Sequence, residues 1–387
     1  MVNEDSSTKN SSIRSLKDLI DQASGRAIRE AQVQQDSGLI ELLPFPFLAI
    51  VGQVEMKYAL LVALINPAIG GVLLIGPRGT GKTTAIRGLI DLVPEIPRSA
   101  CYYGCLPQDI ETGGIDAVCP NCAKKYALGE PLAAMDKIRL VELPLNARID
   151  DVVGTVDENI SGHERQRLRR GILAHADQNL LLVDEVNMLA DDVVDSILDA
   201  AAYGSYTVKR GTMTATFRSR FVLIGTMNPE EGRLRPQILD RIGLRIVVEG
   251  LAETTQRLEA YKRVQTYLVN PRHLVQEYYN DTEIAKAEIQ MARDILPSVK
   301  IPALISDLVL SLVHQLKIDS LRAEVTLFEA AKAFAALDGR IEVNKEDLNV
   351  IAPMALRMRR SSYIEKFIAD QSVEEMEISK TIENILA

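Results

Sequence analysis

Residues Gly76-Pro77-Arg78-Gly79-Thr80-Gly81-Lys82-Thr83-Thr84 fit the pattern G-x-x-x-x-G-K-[ST]. This pattern works only as the bend between a buried strand and a helix, so it constrains the fold around it. Val72-Leu73-Leu74-Ile75 precedes it as a short apolar run that reads as a buried parallel strand, and Thr84–Ile90 follows as a helix. The glycines let the backbone wrap a phosphate, with N–H groups and the helix start pointing at the anion. Lys82 is placed to reach the β/γ-phosphates of ATP, and the Thr83 hydroxyl to hold Mg2+. A glycine-rich turn with no ligand does not explain a lysine just inside a helix start.

The rest of the first 250 residues supplies a sheet for that loop. Arg139–Leu143, Asn179–Glu185, Arg220–Asn228 and Leu244–Val248 read as strands, and apolar helices lie between them. Alternating strands and helices give an α/β fold with a mostly parallel sheet flanked by helices. Two strands end in chemistry. Asp184 closes a buried strand, so its carboxylate can face the Mg2+ held by Thr83, and Glu185 can act as general base toward water. Asn228 ends a neighbouring strand and can orient that water. Ligands bind at the carboxyl ends of strands in open α/β sheets. Val193, Val194, Ile197, Leu198 and Ala201 repeat at helical spacing and stop at Gly204. Tyr206–Lys209, a turn at Gly211 and Met213–Phe217 read as a hairpin. After Gly250 strand patterns vanish. Thr326–Leu337 is a helix with Gly339 beyond its end, and Asn344 with Asp347 marks the start of another. We divide the chain into a mobile polar arm (1–38), a nucleotide-binding domain (39–250) and helical lid and C-terminal helices (251–387).

A chain of 387 residues has room for two or three units. Net charge is -9, which argues against a protein that grips nucleic-acid backbone. No apolar run approaches a membrane span, and the polar start lacks a signal peptide's apolar core, so a cytoplasmic location is expected. Arg165, Arg167, Arg169 and Arg170 read as a solvated face. All four cysteines fall in one insertion at 98–136, as Cys101-x3-Cys105 and Cys119-x2-Cys122. Four such thiolates suit a structural tetrahedral Zn2+. Reduced or redox-active thiols without metal are the other reading.

Two arginines follow in the order a hydrolytic motor requires. Arg241, in Leu239-Asp240-Arg241-Ile242, is a candidate finger that can act in trans. Arg322, in Ser320-Leu321-Arg322-Ala323-Glu324, opens a lid helix and can reach back toward nucleotide. Either one alone would pass for a surface salt bridge.

Over residues 39–360 this combination resembles the AAA+ ATPases. Finer motifs are similar to one family among them, the ATPase (I) subunit of magnesium chelatase. These are Phe45-Pro46-Phe47 with Ile50-Val51-Gly52-Gln53, Leu143–Ala147 with Asp151–Thr155, Leu182–Leu189, and Thr226–Gly232 with Leu234–Gln237. The resemblance implies a ring, usually a hexamer, with ATP between neighbours. Lys82, Thr83, Asp184, Glu185 and Asn228 would serve one face of the site, Ile50 and Val51 would lie near adenine, Arg241 would come from the adjacent subunit, and Arg322 would be the lid sensor. It also implies two partners, an integrin-like chelatase subunit and a large porphyrin-binding chelatase subunit. ATP hydrolysis would then drive Mg2+ insertion into protoporphyrin IX on the way to chlorophyll or bacteriochlorophyll. A cobalt chelatase motor or a metalloenzyme-remodelling ATPase would use the same parts. A DNA-translocating ring, suggested by Lys209 and Arg210 on the hairpin, is opposed by the net acidity. A non-hydrolysing scaffold is opposed by Glu185 and Asn228. The cysteine insertion is longer than in the simplest family members. The segment after 360, including Tyr363–Phe367 and Met376–Leu386, reads as a subunit contact.

Overall fold

The structure is a computed structural model that describes residues 43–157, 167–210 and 213–360. The arm at 1–38, Arg165, the hairpin turn at Gly211 and the segment after 360 lie outside these residues.

Along the chain, α1 (Val54–Ile65) leads into β1 (Val72–Ile75), the phosphate loop and α2 (Lys82–Gly88). The cysteine insertion follows as β2 (Ile96–Ser99), α3 (Pro107–Gly113), α4 (Pro120–Ala127) and β3 (Ala133–Asp136). The chain then forms β4 (Leu140–Leu143), α5 (Ile149–Val153), a ribbon of β5 (Gly154–Asp157) and β6 (Arg167–Arg170), α6 (Ile172–His175) and β7 (Leu180–Val183). Next come α7 (Asp191–Tyr203), the hairpin of β8 (Ser205–Arg210) and β9 (Met213–Arg218), β10 (Val222–Met227), α8 (Pro236–Arg241) and β11 (Leu244–Val247). The helical segment comprises α9 (Thr254–Val269), α10 (Pro271–Glu277), α11 (Tyr279–Ile295), α12 (Ala303–Gln315), α13 (Leu321–Leu337) and α14 (Lys345–Leu356).

Five strands make one sheet in the order β11-β1-β10-β7-β4, and every pairing is parallel. The strands alternate between two cores. Val72, Leu74, Leu180, Leu182, Ile224 and Leu244 face α1, α2 and the helical segment. Leu73, Ile75, Leu181, Val183, Leu223 and Met227 face α5, α6 and α7. Burial on both faces explains why these strands are unbroken apolar runs rather than alternating ones. The register sets β1, β10 and β7 side by side, with Ile75 opposite Met227 and Gly225 opposite Val183. The loop after β1 therefore opens directly beside the residues that end β7 and β10.

Gly76 has a steric reason. A Cβ there would lie 2.1 Å from the Val248 carbonyl oxygen, and no side chain can enter so close a backbone approach.

The helical segment shares the first core and is tied to the sheet by buried polar contacts. Arg293 on α11 donates to the Leu64 carbonyl at 3.0 and 2.8 Å. Arg245 on β11 is fully buried and donates to the carbonyls of Leu239, Ile242 and Arg357. Arg357 returns a bond to the Arg245 carbonyl at 2.9 Å. Asn344 and Asp347 form a reciprocal capping box on α14, as their spacing suggests. Gly204 takes the left-handed turn that ends α7.

Several boundaries differ from the sequence reading, and the helix read from Thr326 begins at Leu321. The helix after the loop begins at Lys82 and not Thr84, because Gly81 in a left-handed conformation is its N-cap. The insertion shows short ordered elements where no periodicity was legible. Four-residue strands and one- to two-turn helices are too brief to carry a pattern.

Candidate functional site

The end of β1, the phosphate loop and the ends of β7 and β10 enclose a cavity of ≈ 420 Å³. Gly79, Thr80, Gly81, Lys82, Thr83 and Thr84 line one side, and Asp184, Glu185, Thr226 and Asn228 the other. Gly79 and Gly81 both have positive φ, which turns the loop around the cavity. Pro77 is part of the loop without lining the cavity, and its carbonyl accepts from Lys82 Nζ at 2.8 Å, as does that of Gly76. Burial pulls the Lys82 pKa down, while Asp184, Glu185 and Glu231 act to raise it. The net shift is downward, with the carboxylates offsetting part of the effect of burial.

Thr226 organises the acidic wall. Its hydroxyl donates to Asp184 Oδ1 and accepts from the Glu185 backbone N–H at 3.0 Å. It is 1% exposed and lies inside an apolar strand. Glu185 itself has φ 48 and ψ 53, a left-handed conformation that a non-glycine residue holds only when its surroundings impose it. Such strain concentrates at functional sites. Thr83 and Asp184 line the same cavity, so an oxygen-ligated Mg2+ carried in by ATP would meet a hydroxyl and a carboxylate. Asn228 is 4% exposed, and its Oδ1 accepts from Glu230 N–H at 3.3 Å. That bond leaves its amide group available to the cavity it lines.

A second cavity of ≈ 450 Å³ adjoins the first and shares Gly79, Thr80, Gly81 and Thr84 with it. Its mostly apolar walls include Ile50, Val51, Ala260 and Val264, and suit a flat base. Ile50 and Val51 are therefore beside the loop, as the motif suggested. The turn carrying them is fixed from two sides. Lys57 on α1 donates to the Ile50 carbonyl, and Arg263 on α9 donates to that of Ala49 at 2.9 Å. Gln53 donates to the Glu249 carbonyl at 2.7 Å. Sequence reasoning missed this contribution from α9, which carries no motif. It also missed Thr226 as the organiser of the carboxylates.

Arg241 and Arg322 are not in either cavity of their own chain. Arg241 pairs with Asp195 at 3.4 Å and Asp199 at 3.0 Å on α7. Arg322 lies 3.8 Å from Asp240 and its side chain is 55% exposed. Reach from Arg322 back to the nucleotide loop of the same chain is not what the structure shows. Its partner is instead Asp240, the residue before Arg241 in the chain, which also accepts from Arg359 and Ser320.

The four cysteines converge. Their sulfurs all lie within 4.8 Å of one another, with Cys101 Sγ 3.7 Å from Cys105 Sγ and 3.5 Å from Cys119 Sγ. Four sulfurs at about 2.3 Å from one zinc would be about 3.8 Å apart in a tetrahedron. Cys105 and Cys122 are buried. Burial pushes the Cys105 thiol up to about 11 and raises Cys122 further. Burial acts the same way on Cys101, but backbone N–H groups of Tyr103 and Cys105 outweigh it and lower that thiol. Neutral thiols packed this closely gain little from one another, whereas a cation would satisfy all four.

Comparison with known proteins agrees with this geometry. The family model described as "Magnesium chelatase, subunit ChlI" matches residues 155–232, and an AAA lid domain model matches 310–381. The magnesium-chelatase subunit ChlI homolog of Methanocaldococcus jannaschii is 40% identical over 86% of this chain and 90% of its own length. The chain belongs to the magnesium-chelatase subunit ChlI family. The 38 kDa magnesium-chelatase subunit of Acidiphilium rubrum, also in this group, is 39% identical over 85% of this chain and 95% of its own. A crystal structure from Cytophaga hutchinsonii matches with a TM-score of 0.52 at 18% identity, covering 94% of this chain and 98% of that one, and speaks to the fold alone. The ChlI-family AAA+ fold, with its parallel sheet and helical lid, is therefore the fold that the motifs implied. ATP and Mg2+ use come with it. No helix among the described residues is long and apolar enough to cross a membrane.

Proposed function

We propose that this chain is the ATP-hydrolysing motor subunit of a magnesium chelatase, driving Mg2+ insertion into protoporphyrin IX. The observation that carries this is near-full-length similarity to ChlI subunits, joined to a cavity lined by the phosphate loop with Lys82 and Thr83 on one side and Asp184, Glu185 and Asn228 on the other. The loop from Gly76 to Thr84 cradles the phosphates, with Lys82 at the β/γ end. Thr83 and Asp184 hold Mg2+. Glu185 takes the proton from the attacking water, and Asn228 orients it. Ile50 and Val51 flank adenine.

Arg241 supplies positive charge to the γ-phosphate of a neighbouring subunit, and Arg322 works on the same face. Their position outside their own chain's cavities supports a ring in which each site is completed by the next subunit. A hexamer fits this reading. The integrin-like chelatase subunit and the porphyrin-binding chelatase subunit complete the enzyme, and the work takes place in the cytoplasm. The division of residues 39–250 as nucleotide-binding domain and 251–387 as lid and C-terminal helices belongs to the same proposal. So does a structural Zn2+ on Cys101, Cys105, Cys119 and Cys122, supported by the sulfur spacing.

The test is reconstitution. This chain is mixed with its integrin-like and porphyrin-binding partners, ATP and protoporphyrin IX. Metal insertion is followed by fluorescence with Mg2+, and in parallel with Co2+ and a corrin acceptor. ATP-dependent Mg-porphyrin, abolished by Lys82→Ala, is the expected result. Insertion of cobalt alone would move the assignment to a cobalt chelatase.

A further inference from the structure

We propose that Glu231 is a positioning residue of the hydrolytic centre, acting through Arg78 to aim the Glu185 carboxylate. This rests on the reading of Glu185 as the base. Arg78 lies within the phosphate loop and lines the phosphate cavity. A single nitrogen, Nη2, reaches Glu185 Oε1 at 3.1 Å and Glu231 Oε1 at 2.5 Å. The two carboxylate side chains are only 23% and 21% exposed, while that of Arg78 is 72% exposed. The arginine is thus a cap that joins two acids at the cavity rim.

Glu231 comes from the turn that follows β10. Its N–H donates to the Asn228 carbonyl at 3.1 Å, and the Asn187 amide donates to the same carbonyl at 3.3 Å. Asn187 lies two residues beyond Glu185. One short network therefore connects the asparagine that orients water, the glutamate that deprotonates it and the loop that holds phosphate. Glu231 Oε2 is buried with no hydrogen-bond partner among the described residues, which costs stability. An exposed ion pair would return little of that cost. The placement makes sense as a constraint on Arg78. Paired with Glu185 alone, Arg78 would be free to pull that carboxylate over a range of directions. Anchored on Glu231 it fixes one.

ATP hydrolysis by the full chain under steady-state conditions tests this, with Arg78→Ala, Glu231→Gln and the double variant. Misaiming a reacting group by about an ångström costs on the order of a hundredfold, so a partly misdirected base should lower kcat about tenfold or more. Glu231→Gln is expected to do this while KM for ATP stays within about twofold of wild type. The double variant should be no slower than Arg78→Ala, because both changes break one linkage. Glu231→Asp, which keeps the charge, should recover part of the rate. Melting temperatures in MgADP identify any variant that fails to fold, and Arg78→Lys then replaces it in the cycle. Wild-type kcat in Glu231→Gln, or losses in the double variant that simply multiply, would overturn the proposal. Glu185→Gln run alongside separates the two readings. If it still turns over, the base is wrongly assigned. If it is dead while Glu231→Gln is normal, only the present proposal falls.

Discussion

Thr226 shows how one hydroxyl can set up a catalytic wall. It joins the Asp184 carboxylate and the Glu185 N–H across two strands, at the wall of the phosphate cavity. Thr226→Val keeps the shape and leaves both groups unpaired. A fully buried orphan costs about 1–3 kcal/mol and these half-buried groups less, so thermal unfolding should shift down only modestly. The larger effect should fall on Mg2+, since Asp184 loses the bond that orients it. An Mg2+ titration of ATP hydrolysis should need several-fold more metal in the variant, and an unchanged curve would mean that Asp184 is aimed by something else. Sequence alone did not reveal this role. Within Val222–Met227 the threonine reads as one more core position, and only the parallel register against β7 brings its hydroxyl to the acids. Asp184, Glu185 and Asn228 were legible because each ends an apolar run, where a strand must surface.

At the scale of elements, the insertion is a small unit with its own core. Cys105, Val118, Cys122 and Leu132 form a buried cluster separate from both faces of the sheet. It is fastened to the sheet by charge. Arg220 pairs with Asp109 at 3.1 Å and Asp177 at 3.3 Å, and Arg218 donates to the Ala117 carbonyl at 3.0 Å. A metal would add to the little that so small a core supplies by itself. Metal analysis of purified protein should find about one zinc per chain, lost on changing Cys119 and Cys122 to serine. Zinc retained in that variant, or absent from the wild type, would contradict the assignment. Because the buried Cys105 thiol is raised to about 11, binding must expel its proton, and zinc affinity should weaken as pH falls. Cysteine spacing was enough to suggest the site. The irregular Cys101-x3-Cys105 half was less legible, and in the fold Gly104 with φ +78 turns the chain between its two thiols.

At the scale of the whole molecule, the proposed ring would bring Arg241 to a nucleotide site whose own chain does not place it there. Loop, acids and asparagine meet in one cavity, while Arg241 and Arg322 lie outside it, Arg241 paired with carboxylates of α7 and Arg322 beside Asp240 of α8. Their order along the chain matched the AAA+ pattern, but no sequence pattern says which subunit an arginine serves. That depends on where α8 and α13 project, and hence on the fold. Subunit mixing tests the trans arrangement. Lys82→Ala and Arg241→Ala proteins should each be nearly inactive, and mixed rings should regain ATP hydrolysis where an intact loop meets an intact arginine. No recovery on mixing would place Arg241 in service of its own chain or outside catalysis.

The central claim is that this cavity hydrolyses ATP with Glu185 as base, and one variant tests it most directly. MgATP affinity and turnover are measured for Glu185→Gln beside the wild type. Affinity within a few-fold of wild type, with turnover reduced by about 10²-fold or more, is the predicted result. Turnover close to wild type in that variant would contradict the account.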